Sequence, residues 1–258
     1  MPGDLGGTVD VAAHYRGLLA SHYSWMLGGD IERVAAQDRQ LFEKLELGAT
    51  SVSGTAVDLG CGPGPQTLAL ADMGFGTVVG VDTSRELLDE LADLAHARPA
   101  VRTHHGDLLD ALPEMTTPGS VDVVVCMRDT LLHLPEPDAV DLLLTRVASA
   151  LVAGGTLVLT YRDLTQQLAG TDRFLPVRSD DERIMLCALD YDSPETVTVN
   201  DLVHVRTGEG WQLHKSSYPK LRLAPEKLAQ RIETAGLTVT HHAPESNGMW
   251  TTVASSRQ

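Results

Sequence analysis

The stretch that decides the fold is Val57-Asp58-Leu59-Gly60-Cys61-Gly62-Pro63-Gly64, at residues 57–64 of a 258-residue chain. It begins within a β-rich run, TAVDLG, and precedes a short helical pattern, PQTLALADMG. Three glycines in five positions let the backbone turn sharply and let another molecule approach without Cβ clashes. The helix that follows offers unpaired N–H groups at its start. The stretch therefore predicts a ligand-binding loop between a strand and a helix.

Strand and helix patterns alternate from Thr55 to Thr160, outward from this loop. The later strand patterns are TVVGVD, VRTHHGD, VDVVVCMRD and TLVLTYRD; the helical ones are TSRELLDELADLAHARP and DAVDLLLTRVASALVAGG, the latter closed by Gly154 and Gly155. This alternation predicts an α/β fold with a doubly wound, mainly parallel sheet. A closing hairpin, LTVTHHA and MWTTVASS, brings the sheet to seven strands. Ligands on such sheets bind beyond the carboxyl ends of the strands.

The remaining segments are predicted to be additions to this core. We predict N-terminal helices and, at residues 183–191, 196–206 and 211–218, three antiparallel strands that cap the site. The predicted segments are an N-terminal helical cap (1–50), a core (51–161), an antiparallel cap insertion (162–222) and a C-terminal helix and hairpin that complete the sheet (223–258).

Composition limits the possible partners. The net charge of −15 disfavours binding to nucleic acid or to acidic membranes. The start, MPGDLGGTVD, lacks the pattern of a signal peptide, and no apolar run approaches a membrane span, so we expect a cytoplasmic protein. Three cysteines without a C-x-x-C pair, and histidine pairs without a third ligand, predict no metal site. The expected partner is a small molecule, and a homodimer is left open.

Asp82 ends the second strand, 22 residues after Gly60, where a carboxylate suits two ribose hydroxyls. A dinucleotide could use such a carboxylate, but its fingerprint requires G-x-G-x-x-G, and the third site here is Pro65. Asp58, just ahead of the loop, favours a ligand with a positive charge over a pyrophosphate. A nicotinamide-dependent oxidoreductase is therefore a distant alternative.

The run VDLGCGPG, with GVD after the second strand, Gly106-Asp107 after the third and VDVVVCM as the fourth, resembles class I S-adenosylmethionine-dependent methyltransferases with their Rossmann-like fold. The resemblance covers about residues 55–160 and continues at 225–256. It implies S-adenosylmethionine as cofactor: the loop and Asp58 would hold its amino-acid part, and Asp82 its ribose. The full implied set is Asp58, Gly60, Cys61, Gly62, Gly64, Asp82, Thr83, Gly106, Asp107, Leu108, Cys126, Met127 and Arg128.

The segment from Asp129 to Pro135, the run YRDL and the three-stranded insertion resemble small-molecule N-methyltransferases of the glycine/sarcosine and amino-sugar type. Those enzymes tend to carry Gly-Asn where this chain has Arg128-Asp129. A charged pair at the place of methyl delivery implies a different acceptor. We predict that Asp129 holds an acceptor amine and that Arg128, with Arg162, holds an anionic tail.

Methyl transfer mainly requires alignment of donor and acceptor, and a hydroxyl acceptor also needs a base. His133 is the candidate base, although it could equally pack a short helix. Tyr15 and Tyr23, on the first helix, are candidate acceptor contacts or core residues. The arginines between residues 162 and 183 either clamp an anion or pair with nearby aspartates.

The sequence thus predicts a methyltransferase acting on a small molecule, with nitrogen as the expected target. Transfer to the oxygen of a carboxylate or hydroxyl is one alternative. A regulatory protein that binds S-adenosylmethionine without turning it over is another.

Overall fold

The computed structural model describes residues 8–48 and 53–257. Their larger sheet consists of β1 (Thr55–Leu59), β2 (Thr77–Asp82), β3 (Val101–His105), β4 (Val121–Cys126), β5 (Leu151–Arg162), β10 (Leu237–Pro244) and β11 (Met249–Ser256). The strand order is β10-β11-β5-β4-β1-β2-β3, and every pair is parallel except those made by β11. The predicted doubly wound, mainly parallel seven-stranded sheet is confirmed. The predicted boundary at residues 50 and 51 lies outside the described residues.

The helices are α1 (Val11–His14), α2 (Ala20–Met26), α3 (Ile31–Lys44), α4 (Pro65–Asp72), α5 (Arg85–Leu94), α6 (Leu108–Met115), α7 (Pro137–Ala150) and α8 (Pro225–Thr234). A π-helical stretch, Tyr15–Leu19, joins α1 to α2. Ser84 caps α5 by accepting a hydrogen bond from the N–H of Leu87. In the described residues, no helix combines the length and apolar character needed to cross a membrane.

Helix α6 is not evident from the sequence, because it is short and contains Pro113. Its N-cap is Asp107, whose Oδ1 accepts the N–H of Leu109 at 2.8 Å. The predicted cofactor residue Asp107 therefore also starts a helix.

The prediction that Gly154 and Gly155 close a helix is wrong. Helix α7 ends at Ala150, and Leu151 already pairs with Val121 of β4. The pairing then shifts register, so the two glycines lie within strand β5. Glycines inside a strand commonly mark such an irregularity, and here they mimic a helix end.

The cap sheet has four strands rather than the predicted three: β6 (Phe174–Ser179), β7 (Arg183–Asp190), β8 (Thr196–Thr207) and β9 (Gly210–Leu221), in that order. The additional strand is β6, which contains Pro176. Proline cannot donate to a strand ladder, so its presence argues against a strand in a sequence. Strand β6 lies at the edge of the sheet, where a missing N–H is tolerated, and its pairing with β7 shifts register between Pro176 and Arg178.

The N-terminal helix contacts the cap sheet through a buried polar pair. His14 Nε2 lies 3.0 Å from Asp201 Oδ2, and the two side chains are 0% and 2% exposed. The ring of His14 also stacks on Tyr218 of β9, with centroids 4.1 Å apart. These contacts hold the helix against the cap sheet.

Candidate functional site

The glycine loop is pinned to the end of the neighbouring strand. The N–H groups of Gly60 and Cys61 both donate to the carbonyl of Val81, at 2.8 and 2.9 Å. Gly60, Gly62 and Gly64 have φ of +73°, +55° and +86°, a left-handed region that favours glycine. The loop thus turns tightly at the carboxyl ends of β1 and β2, as predicted.

The three glycines face different neighbours. A Cβ on Gly60 would lie 2.2 Å from Thr130 Cγ2, and one on Gly64 would lie 2.2 Å from Leu91 Cδ1. A Cβ on Gly62 would lie 3.3 Å from the ring of Tyr23. Gly60 and Gly64 therefore allow close packing against Thr130 and Leu91, whereas a Cβ on Gly62 would only crowd the ring of Tyr23.

Asp82 is fixed by the loop that it faces. Its Oδ2 accepts the N–H of Gly62 and its Oδ1 accepts the N–H of Ser84, both at 2.8 Å. Burial raises the pKa of Asp82, and these two N–H donors oppose that rise. The carboxylate is half-buried and keeps lone pairs for further donors, such as hydroxyl groups.

A cavity of about 140 Å³ lies between the loop and β3. It is lined by seven predicted cofactor residues, Gly60, Gly62, Asp82, Thr83, Gly106, Asp107 and Leu108. Tyr15, Tyr23 and His133 line it as well. The structure therefore brings together residues that the glycine loop, the acidic strand end and the family resemblance had indicated.

Asp58, Gly64 and Cys126 do not line this cavity. Asp58 is 1% exposed and accepts a 2.7 Å hydrogen bond from Thr67 Oγ1. Burial raises its pKa to about 7. Its carboxylate lies behind the loop, so its predicted contact with the amino-acid part of a cofactor stays a prediction.

A larger cavity of about 640 Å³ lies under the cap sheet. Its wall includes the predicted residues Tyr15, Tyr23, Met127, Arg128, Asp129, His133 and Arg162. Tyr15, Tyr23 and His133 line both cavities, so the two lie side by side. The rest of its wall is largely apolar, which suits an amphipathic small molecule.

Arg128 and Asp129 adopt two successive left-handed conformations, with φ of +56° and +70°. Such strain in residues other than glycine persists only where the surroundings enforce it. Thr160 does so here: its Oγ1 accepts the N–H of Arg128 at 2.9 Å, and its carbonyl accepts the N–H of Asp129 at 3.2 Å. The turn sends the two side chains to different partners.

Asp129 binds two cations. Its carboxylate accepts the backbone N–H of Arg162 at 2.8 Å, the guanidinium of Arg162 at 2.5 Å and Lys220 Nζ at 3.0 Å. Burial by itself would raise the pKa of Asp129, but Lys220 and Arg162 hold it below its usual range. Lys220 was not identified from the sequence, because a single lysine in a cap strand carries no motif.

Arg128 pairs with a residue on α3. Its Nη2 donates to both carboxylate oxygens of Asp38, at 2.9 and 2.7 Å. Asp38 shares the buried stripe of α3 with Ile31, Ala35 and Phe42. A carboxylate at a core position of an amphipathic helix is the signal that could have identified it, since charged residues are rarely buried without a partner.

His133 lies between the two cavities at the end of a 3₁₀ helix, Thr130–His133. Its ring contacts those of Tyr15 and Tyr218 edge to face, at centroid distances of 5.9 and 5.7 Å. Burial, followed by the charge of Lys220, lowers its pKa to about 3. The imidazole is therefore neutral at pH 7 and accepts a proton poorly.

This lowered pKa predicts an acid-dependent stability. A histidine in an unfolded chain has a pKa of about 6.5, so the unfolded state binds the proton more tightly. The free energy of unfolding should fall as the pH is lowered from about 7 to about 4, by up to about 3 kcal/mol from His133 alone. Urea unfolding across that range should show a weaker pH dependence in His133→Gln than in the wild type or in His96→Gln, which changes an exposed histidine. Equal pH dependence in the two variants would contradict the assignment.

Four arginines lie between residues 162 and 183, and the three other than Arg162 have partners elsewhere. Arg173 pairs with Asp190, and the guanidinium groups of Arg178 and Arg183 lie over the ring of Trp25, at 5.5 and 5.4 Å from its centroid. Of the four, Arg162 lines the larger cavity. Within residues 8–48 and 53–257, no group of three or more histidine, cysteine or acidic side chains could hold a metal ion.

Comparison with known proteins agrees with this geometry. Residues 56–155 match a family model described as a methyltransferase domain. A ubiquinone biosynthesis O-methyltransferase from Methylococcus capsulatus is 30% identical over 137 residues, which are 53% of this chain and 55% of that protein. The chain thus spans about half or less of the length of the first curated relatives that it matches.

Solved structures share the fold over nearly the whole chain. The CcbJ methyltransferase from Streptomyces caelestis superposes with a TM-score of 0.75, at 24% identity, over 95% of this chain and 98% of the other. CalS10, an amino pentose methyltransferase from Micromonospora echinaspora solved with S-adenosylmethionine bound, gives 0.70 at 18% identity, over 90% and 93%. The predicted resemblance to class I S-adenosylmethionine-dependent methyltransferases is confirmed.

Proposed function

We propose that this chain, in which residues 56–155 form a methyltransferase domain, transfers a methyl group from S-adenosylmethionine to nitrogen of a small-molecule acceptor. The observation that carries the proposal is the pair of adjoining cavities. The smaller contains the glycine loop and Asp82, and the larger lies under the cap with a mainly apolar wall. A donor in one and an acceptor in the other would meet at Tyr15, Tyr23 and His133.

The residues present fit the cofactor. Asp82 offers carboxylate lone pairs at the wall of the smaller cavity, and the backbone of Gly60 and Gly62 lies in the same wall. Arg128 Nη1 is buried and has no hydrogen-bond partner among the described residues, so an anionic group would satisfy it. When bound, the cofactor supplies a methyl group on a positively charged sulfur, which a lone pair of the acceptor displaces.

The ionisation of His133, Asp129 and three tyrosines in the wall of the larger cavity favours an amine over a hydroxyl. His133 has a pKa lowered to about 3, and the pKa of Asp129 is also held below its usual range. Burial raises the pKa of Tyr15, Tyr23 and Tyr218, so these phenols stay protonated. None of these groups suits the removal of a hydroxyl proton at neutral pH. An amine requires only that it bind in its neutral form, aligned with the donor.

We assign the walls of the larger cavity as follows. Asp129, held by Lys220 and Arg162, orients the amine or its substituents. The exposed edge of Arg162, whose side chain is 54% exposed, is available to an anionic tail. Tyr15 and Tyr23 enclose the point of transfer and exclude water from it.

Transfer to oxygen is the second candidate, since a curated relative is named an O-methyltransferase. A screen of amine and carboxylate metabolites for release of S-adenosylhomocysteine, followed by mass spectrometry of the product, distinguishes the two by the atom that gains the methyl group. Binding of the cofactor without turnover of any acceptor would favour a regulatory protein.

The first test of the proposal is cofactor binding. Calorimetric titration should give binding of S-adenosylmethionine and S-adenosylhomocysteine and none of NAD, because the loop spacing and Pro65 do not fit a dinucleotide. Binding of NAD with no response to S-adenosylhomocysteine would reject the assignment.

Asp82→Ala should weaken cofactor binding by about tenfold or more and leave the protein folded. The loss corresponds to hydrogen bonds that a charged group makes to hydroxyls, about 1.5–3 kcal/mol. Titration with S-adenosylhomocysteine measures the change, and thermal unfolding verifies the fold. Affinity equal to that of the wild type would show that the ribose is bound elsewhere.

A further inference from the structure

We infer that Arg128 binds the carboxylate of the amino-acid part of the cofactor, rather than the anionic tail of an acceptor. The inference rests on the proposed function, because it presumes that S-adenosylmethionine binds at the glycine loop. It specifies which part of the cofactor the strained residue at the end of β4 binds.

Arg128 lies close to the glycine loop. A narrow recess beside the loop is lined by Gly60, Cys61, Gln66, Met127 and Arg128. Gly60 also lines the smaller cavity, which contains Asp82. A cofactor with its ribose at Asp82 and its sulfur near the larger cavity therefore has its amino-acid end along the loop, toward this recess.

The guanidinium of Arg128 has one paired and one unpaired terminal nitrogen. Arg128 donates to Asp38 through Nη2, whereas its Nη1 is buried without a partner among the described residues. An unpaired buried donor is costly, and guanidinium groups match carboxylates well. An anionic ligand that reached Nη1 would complete the hydrogen bonding of this side chain.

The other two cations of the site, Arg162 and Lys220, already have a carboxylate partner. Arg162 and Lys220 also line the larger cavity, but both bind Asp129. They lie on β5 and β9, and neither residue lines the recess beside the glycine loop. Arg128 is the charged residue in the wall of that recess.

The backbone turn directs Arg128 and Asp129 to different partners. With φ of +56° at Arg128 and +70° at Asp129, the chain turns so that Arg128 reaches Asp38 on α3 while Asp129 reaches Lys220 on the cap. The predicted charged pair is thereby divided between two tasks. Arg128 serves the donor, and Asp129 serves the acceptor.

The test uses two ligands that differ only in the carboxylate: S-adenosylhomocysteine and its decarboxylated analogue, 5′-deoxy-5′-(3-aminopropylthio)adenosine. Calorimetry, or displacement of S-adenosylhomocysteine where binding is weak, gives both dissociation constants. The wild type should prefer S-adenosylhomocysteine by about tenfold or more, as for hydrogen bonds to a charged group. In Arg128→Met, which keeps the length of the side chain, the preference should fall below about threefold, while affinity for the analogue changes little.

Two control variants define the outcome. Asp82→Ala should weaken both ligands alike and keep their ratio, and Arg183→Met, outside both cavities, should change neither. A wild-type preference that persists in folded Arg128→Met, or that is absent in the wild type, overturns the inference. Failure of the wild type to bind either ligand would instead reject the proposed function.

Discussion

Asp129→Asn is expected to lower kcat/KM for the acceptor by about thirtyfold or more. The substitution removes the charge that binds both Lys220 and Arg162, and truncating one partner of a buried, hydrogen-bonded charge pair typically costs about 2–5 kcal/mol. Asparagine is preferred to alanine, because it tolerates the left-handed backbone at this position. Steady-state kinetics with the acceptor found by the metabolite screen measure the effect.

The matched control is Asp190→Asn, which also removes a carboxylate that pairs with an arginine, here Arg173, outside the wall of the larger cavity. Its kcat/KM should stay within about twofold of the wild type, since partly exposed pairs contribute little. Affinity for S-adenosylhomocysteine should change little in either variant. Unchanged acceptor kinetics in folded Asp129→Asn would show that the acceptor is held by other residues.

Gly64→Ala should lower the free energy of unfolding by about 2–5 kcal/mol. At φ of +86° an alanine costs about 1–2 kcal/mol, and the new Cβ would lie 2.2 Å from Leu91 Cδ1, which adds about 1–3 kcal/mol of overpacking. Urea denaturation measures the loss.

Gly74 offers the comparison, because it has φ of +93° but no atom within 4 Å of a Cβ. Gly74→Ala should therefore lower the free energy of unfolding only by the backbone contribution, about 1–2 kcal/mol. Equal losses in the two variants would show that Leu91 moves aside without cost, and that packing does not require glycine at position 64.

The parts of the site that the sequence predicted are local in the chain. The glycine loop lies within a single strand–turn–helix unit, and Asp82 ends the next strand, so spacing alone indicates both. Asp38 and Lys220 were missed because their partners, Arg128 and Asp129, lie 90 and 91 residues away in the sequence. Nothing in a single sequence pairs such distant charges.

Predictions failed where a local signal had two meanings. Gly154 and Gly155 suggested the end of a helix, although they occupy a register shift inside β5. Strand β6 was not predicted; it contains Pro176, which an edge strand accepts. The predicted roles of Arg128 and Asp129 toward an acceptor stay predictions, although the left-handed turn sends the two side chains to different partners.

The π-helical stretch Tyr15–Leu19 determines how one helix can line two cavities. Tyr15 and Tyr23 are eight residues apart, and at about 100° per residue an uninterrupted α-helix would point them about 80° away from each other. The wider turn of the π-helix absorbs part of this rotation, and the two rings lie 5.8 Å apart, both in the walls of the smaller and the larger cavity. The rotation of residues about the axis of this helix, and not its amino-acid composition alone, therefore places the phenols of Tyr15 and Tyr23 where the two cavities meet.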